Sequence, residues 1–272
     1  MLAKKIIMYS SLTLLKKYLQ YLLKASNGKG HGVHSPFVFT FIKEVLNAKA
    51  NNPIIPLIEK QRAFLESNPQ LVKVWDRGAG SRQSNNTERS ISQIAKAALK
   101  PKKYSQLLYK IVAYYKPSKV LEMGTSLGIT TCYLAAAADD ARVVTMEGAA
   151  NVAAIARNTF KEVGVPNIQV VEGDFDETLP QYLNSITQVG LAYVDGNHRY
   201  EPTVRYFESL IQKSNEESIL IFDDIHWSAE MEQAWEEIKN HAAVTLTIDL
   251  FFIGLVFIRK AQKQKEHFII RY

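Results

Sequence analysis

The apolar positions change their period part-way along the chain. In the first segment Leu2, Ile6, Tyr9, Leu15, Tyr18, Leu19 and Leu22 recur at three- and four-residue steps, which predicts an amphipathic helix within residues 1–24. Ser35 followed by Pro36 starts a second helix that runs through Asn47. A serine oxygen can cap its free amides, and proline at the first helical position gives up no needed hydrogen bond. Asn51-Asn52-Pro53 breaks the chain, and helical spacing returns over residues 57–67, 88–99 and 104–115. Asp76-Arg77-Gly78-Ala79-Gly80-Ser81 through Thr87 is polar and glycine-bearing, the composition of a loop. Gly30-His31-Gly32-Val33-His34 reads as a tight loop leading into the Ser35 cap rather than as a metal site.

Beyond residue 118 short β-rich runs alternate with amphipathic helical stretches. The runs are residues 119–123, 141–147, 168–172, 190–195, 218–223, 244–251 and 255–260. Alternation of this kind predicts an α/β fold with a parallel sheet covered by helices on both faces. The last two runs are separated only by residues around Phe252-Ile253-Gly254. Parallel neighbours need a crossover of a dozen or more residues, so these two must pair antiparallel. The expected architecture is a doubly wound, mostly parallel seven-stranded sheet with an antiparallel C-terminal hairpin, plus an N-terminal helical extension. The expected domains are residues 1–100, a lid or dimerisation element, and 101–272, a Rossmann-like domain.

Composition narrows the class. With 47% hydrophobic and 22% charged residues the chain suits a globular protein with a sizeable core. The net charge of +6 is spread among dispersed Lys and Arg, which permits an RNA partner without demanding one. A single cysteine, Cys132, excludes an intrachain disulfide and a cysteine-rich zinc site and suits a reducing cytoplasm. Lys16 and Lys17 interrupt the N-terminal apolar stretch before it can act as a signal segment. Leu250 to Ile258 is too short to span a bilayer. A soluble, cytoplasmic protein without a membrane partner is expected.

The chemistry concentrates at the ends of the predicted strands. Val120-Leu121-Glu122-Met123-Gly124-Thr125-Ser126-Leu127-Gly128 runs from a strand through a glycine turn into a helix. Gly124 leaves the strand without a Cβ, so a ligand can approach the backbone, and Gly128 lets the next helix pack closely. A dinucleotide site wants a middle glycine to admit a pyrophosphate. Here Ser126 holds that position, and the acidic Glu122 beside it suits an ammonium or sulfonium better than a diphosphate.

Glu122, Gly124 and Gly128 resemble the acidic-x-Gly-x-x-x-Gly motif of class I S-adenosylmethionine-dependent methyltransferases. The resemblance implies S-adenosylmethionine as cofactor, cradled by Gly124, Thr125, Ser126 and Gly128. It implies that Glu147, followed by Gly148, accepts hydrogen bonds from the ribose hydroxyls. Asp174 would take the adenine amine and Phe175 would pack on the ring, with Asp195 closing the cofactor set.

Asp195, Asp223 and Asp224, at the fourth and fifth strand ends, are candidates for an all-oxygen site for Mg²⁺ or a similar hard cation. In this they resemble the catechol O-methyltransferase branch and related metal-dependent sugar O-methyltransferases. That branch carries a lysine base three residues after the fourth-strand Asp; His198 stands there in this chain, and His226 is a second candidate base. The function implied is methyl transfer to a hydroxyl oxygen of a small-molecule acceptor with metal assistance. An RNA methyltransferase acting on oxygen and a non-catalytic S-adenosylmethionine-binding protein stay open. The N-terminal helices can roof the pocket, pair two subunits as a homodimer, or do both.

Overall fold

The computed structural model describes residues 8–74, 87–138 and 140–272. The expected loop at 76–81, and Leu2 and Ile6 of the first helix, lie outside the described residues. In chain order the helices are α1 (Ser11–Lys24), α2 (Pro36–Phe41), α3 (Ile55–Ser67), α4 (Ile91–Ala98), α5 (Lys102–Tyr115), α6 (Ile129–Ala137), α7 (Ala150–Val163), α8 (Phe175–Asn184), α9 (Tyr200–Ile211) and α10 (Ala229–Asn240). The strands are β1 (Leu71–Val74), β2 (Thr87–Ser90), β3 (Lys119–Met123), β4 (Arg142–Glu147), β5 (Ile168–Glu172), β6 (Leu191–Val194), β7 (Ile219–Asp223), β8 (Leu246–Asp249), β9 (Ile253–Phe257) and β10 (Glu266–Ile269). The main sheet has eight strands, one more than the periodicity predicts, and β1 and β2 form a separate antiparallel pair. The fold is the Rossmann-like α/β arrangement. By their internal contacts the residues group into two units, 1–47 with 182–272, and 48–181.

In the unit of residues 48–181, β3, β4 and β5 run parallel in that order, with Met123 beside Met146 and Glu147 beside Glu172. β3 and β4 are buried over most of their length, because Val120, Leu121, Val143, Val144 and Met146 offer apolar side chains to both faces. α5 packs on α6, and α3 on α4, α6 and α7. Arg62 is buried there and satisfied on every side: it donates to Glu59 at 3.1 Å, to the Lys100 carbonyl at 2.9 Å and to Ser105 at 3.4 Å. α4 starts later than its periodicity suggests, since Thr87 to Ser90 is drawn into the small hairpin. Ser90 then closes a reciprocal cap with Gln93.

In the unit of residues 1–47 and 182–272, the strand order is β10-β8-β9-β7-β6. β9 is antiparallel to both β7 and β8, whereas β10 is parallel to β8 and β6 to β7. The expected hairpin is present, but its turn falls at Leu250 to Phe252, with Phe251 at φ 72°. Gly254 lies inside β9, where a Cβ would come within 2.7 Å of the Trp235 ring. β10 lies directly after the basic stretch 260–265, whose composition masks it. α1 is capped by Ser10, which accepts from the Thr13 amide at 3.2 Å. Ser35 precedes α2 as expected, yet its side chain makes no capping bond, and α2 continues into a π-helical turn over Ile42–Leu46. Tyr21, Ala25 and Phe251 form a buried cluster packed by Leu14, Tyr18, Leu22, Phe252 and Ile269, which fastens α1 to the C-terminal strands.

Candidate functional site

The glycine turn follows β3 as its sequence requires. Gly124 sits at φ 109° and Gly128 at φ 84°, the left-handed region that glycine enters without penalty. A Cβ on Gly128 would lie 2.4 Å from Cε1 of Phe160, so this glycine lets α7 pack against the start of α6. Ser126, a non-glycine residue at φ 48°, completes the bend. The Gly124 and Thr125 amides both donate to the Met146 carbonyl, at 3.0 and 3.1 Å, which binds the turn to the end of β4.

Glu147 ends β4, half-buried. Its Oε2 accepts from the Ser126 amide and its Oε1 from the Ala149 amide, each at 2.9 Å. These bonds fix the plane of the carboxylate. Gly148 next to it leaves space that a side chain would fill, since a Cβ there meets nothing closer than the Gly173 carbonyl at 3.8 Å. Asp174 follows β5 and heads α8: its Oδ1 accepts from the Asp176 amide at 2.9 Å, and its carbonyl accepts from Thr178. Phe175, the first residue of α8, is partly exposed.

Glu122, expected beside the ligand, lies at the end of β3. It has no exposed surface; Thr131 donates to its Oε2 at 2.5 Å and Thr145 at 2.6 Å. Thr145 and Thr125 share a further hydrogen bond of 2.6 Å. The acid of the motif therefore ties α6 to β4, and through Thr145 to the turn.

A second group of ionisable residues lies in the other unit. Asp195, His198 and Asp223 each offer a ligand atom, and these atoms lie within 4.8 Å of one another. It is the one such group among the described residues. Asp223, at the end of β7, is fully buried. Asp195 follows β6; Tyr193 donates to its Oδ2 at 2.8 Å, while its Oδ1 lies 3.5 Å from Nε2 of His198. Asn197 at φ 56° shapes the connecting loop by accepting from the Arg199 guanidinium at 2.8 and 3.0 Å. His198, expected as a base, offers one of these ligand atoms. Asp224 was expected as a ligand and falls outside the group. Its backbone takes φ 53°, and its amide donates to the Phe252 carbonyl at 2.6 Å.

His226, the second candidate base, lies between two carboxylates. Its Nε2 lies 2.8 Å from Asp249 and its Nδ1 3.1 Å from Glu232, and the ring stacks on Phe251 with centroids 5.2 Å apart. Burial opposes the charged ring, but the hydrogen bonds and negative charges of Asp249 and Glu232 outweigh it and raise its pKa to about 9. The imidazole is a cation near neutral pH, and neither nitrogen has a lone pair to offer. Glu232 collects Tyr9 and Lys17 as well, at 2.7 and 2.8 Å. Burial raises its pKa, and the donors from His226, Lys17 and Tyr9 overcome that and hold it at about 2. Nothing in the local sequence announces this network, because its members are 6 to 223 residues apart.

Residues 121–225 match the family described as a methyltransferase domain. No curated protein matches the chain. Among solved structures, an O-methyltransferase from Bacillus cereus in complex with S-adenosylhomocysteine is 18% identical with a TM-score of 0.55, over 81% of this chain and 97% of that one. The O-methyltransferase TomG from Streptomyces achromogenes, in complex with S-adenosylmethionine, is 20% identical with a TM-score of 0.52, over 60% of this chain and 82% of its own. A methyltransferase from Podospora anserina is 12% identical with a TM-score of 0.55, over 94% of this chain and 99% of that one. At such identities the likeness is one of fold.

Proposed function

We propose that this chain is a class I S-adenosylmethionine-dependent methyltransferase that methylates a hydroxyl oxygen of a small molecule with the help of a divalent cation. The observation that carries the cofactor half is the Glu147 carboxylate, oriented by two backbone amides beside the Gly124–Gly128 turn and the open Gly148. Glu147 would accept the ribose hydroxyls, Asp174 the adenine amine, and Phe175 would cover the ring. Bound S-adenosylmethionine supplies an electrophilic methyl on a sulfonium.

The grouping of Asp195, His198 and Asp223 supports the metal half. Two carboxylates and an imidazole form a mixed oxygen and nitrogen set. It suits Mn²⁺, Co²⁺ or Zn²⁺ at least as well as the Mg²⁺ that an all-oxygen site prefers. A cation held there lowers the pKa of a coordinated acceptor hydroxyl. Asp195 and Asp223 supply the negative charge that retains it, and the hydrogen bond from Tyr193 orients Asp195. His198 is then a ligand rather than the proton acceptor.

The test is methyl transfer from labelled S-adenosylmethionine to a panel of catechol-type and sugar-type hydroxyls, with Mn²⁺, with Mg²⁺ and with EDTA. The account expects EDTA to abolish turnover and Asp223→Asn to reduce it at least a hundredfold while S-adenosylhomocysteine affinity is kept. Turnover indifferent to EDTA and to Asp223→Asn refutes the metal half and leaves the cofactor half standing.

A further inference from the structure

Helix α1 uses one face to pack, and among the described residues nothing covers its other apolar face. Its inner side carries Leu14, Tyr18, Tyr21 and Leu22 onto Phe251 and Ile269. The Glu232 carboxylate grips Lys17 of the same helix and Tyr9 just before it. The helix is therefore held from within, and its outer side is fixed in orientation. That outer side shows Leu12 at 77% exposure, Leu15 at 53%, Leu19 at 52% and Leu23 at 85%, with Met8 at 58% just ahead. At 100° per residue these four leucines fall within one strip of about 80°. The 14-residue helix is about 21 Å long. Lone exposed leucines are ordinary; four in register on a helix whose other face is already buried mark a contact surface.

The charges choose the occupant. Every ionisable side chain on α1 other than tyrosine is a lysine: Lys16, Lys17 and Lys24, with no acid among its 14 residues. Lys17 is engaged by Glu232, while Lys16 is exposed at one edge of the leucine strip; Lys24, further round the helix, and Lys29, just beyond it, are exposed at its C-terminal end. A second copy would bring lysines to lysines and no countercharge. A strip one helix wide also falls short of the roughly 1,200 Å² that specific protein pairs bury. An apolar strip edged by cations fits an interface that is itself apolar inside and anionic at its surface. No helix among the described residues is long and apolar enough to cross a membrane, so the contact is peripheral.

We propose that the outer face of α1 docks the protein on an anionic phospholipid surface, with Leu12, Leu15, Leu19 and Leu23 entering the acyl boundary, Lys16 facing the headgroup phosphates, and Lys24 and Lys29 adding positive charge within a Debye length of them. This is independent of the methyl-transfer reading. It is tested by co-sedimentation of the full chain with vesicles of phosphatidylcholine alone and of phosphatidylcholine with phosphatidylglycerol, at low and high salt. Binding is expected on the anionic vesicles, at least tenfold weaker on the neutral ones, and weakened by salt. Leu15→Gln with Leu19→Gln should reduce it at least tenfold, and Lys16→Glu with Lys24→Glu roughly 25-fold, at about fivefold per lysine. Both side-chain pairs are exposed, so circular dichroism should show an unchanged fold. No binding, equal binding to the two vesicle types, or binding indifferent to either double variant overturns the proposal. So does a dimer, seen by sedimentation velocity, that Leu15→Gln with Leu19→Gln converts to monomer, because the strip would then pair two copies.

Discussion

Replacing His226 by glutamine should change how stability depends on pH, and the structure fixes the sign. In the folded protein the ring lies between Asp249 and Glu232 and its pKa stands at about 9, against the ordinary 6.5. The folded state thus holds this proton more tightly than the unfolded chain. The contribution is complete below pH 6.5 and disappears as pH rises through about 9. At about 1.4 kcal/mol per unit the full difference is about 3 kcal/mol. With 22% of the side chain exposed, solvent screening brings that to about 2 kcal/mol. Glu232, held at about 2, is ionised in both states across this window and adds no slope. Lys110, lowered to about 8 by burial and the charge of Lys103, titrates here with the opposite sign, so the comparison must be between variant and parent. The assay is urea unfolding at about pH 6 and about pH 10. The parent should lose about 2 kcal/mol more than His226→Gln over that interval. Equal losses would refute the imidazolium and return His226 to the candidate bases.

Gly128→Ala should weaken S-adenosylhomocysteine binding at least tenfold and lower the melting temperature, because its Cβ would meet Phe160 at 2.4 Å in a left-handed backbone. A cofactor isotherm like the parent's would show that the turn can relax. Cys132 is buried and its thiol is driven up by burial and by the Glu122 charge, so a disulfide reagent should leave it unmodified until the protein unfolds. Stoichiometric labelling of native protein would contradict this.

The strand–helix alternation after residue 118 was legible because buried parallel strands must be apolar on both faces. Leu191 to Val194 show it plainly, as do Val120, Leu121 and Met123 around the buried Glu122. The antiparallel hairpin followed from the shortness of its connection alone. Two features were hidden by composition. β10 begins at Glu266 after a lysine-rich run, and the pairing of Leu71–Val74 with Thr87–Ser90 joins residues on either side of a polar stretch. At the site, the glycine turn could be read from spacing, since adjacent residues build it, whereas Glu147 was implied by the family resemblance. Glu122 could not be assigned to the interior, because Thr131 and Thr145, which hold it, are ordinary residues on other elements. His226 stood two residues after an acidic pair and invited a catalytic reading. Its real neighbours, Asp249 and Glu232, reach it only through the fold.

The central claim is that the rim of β3 and β4 grips a sulfonium nucleoside through Glu147. Calorimetric titration of S-adenosylhomocysteine into the parent and into Glu147→Ala tests it most directly. The account predicts one site per chain in the parent and a loss of about ten- to a hundredfold in the variant, the worth of hydrogen bonds to a charged acceptor. No binding to the parent, or equal affinity in the two proteins, would contradict it.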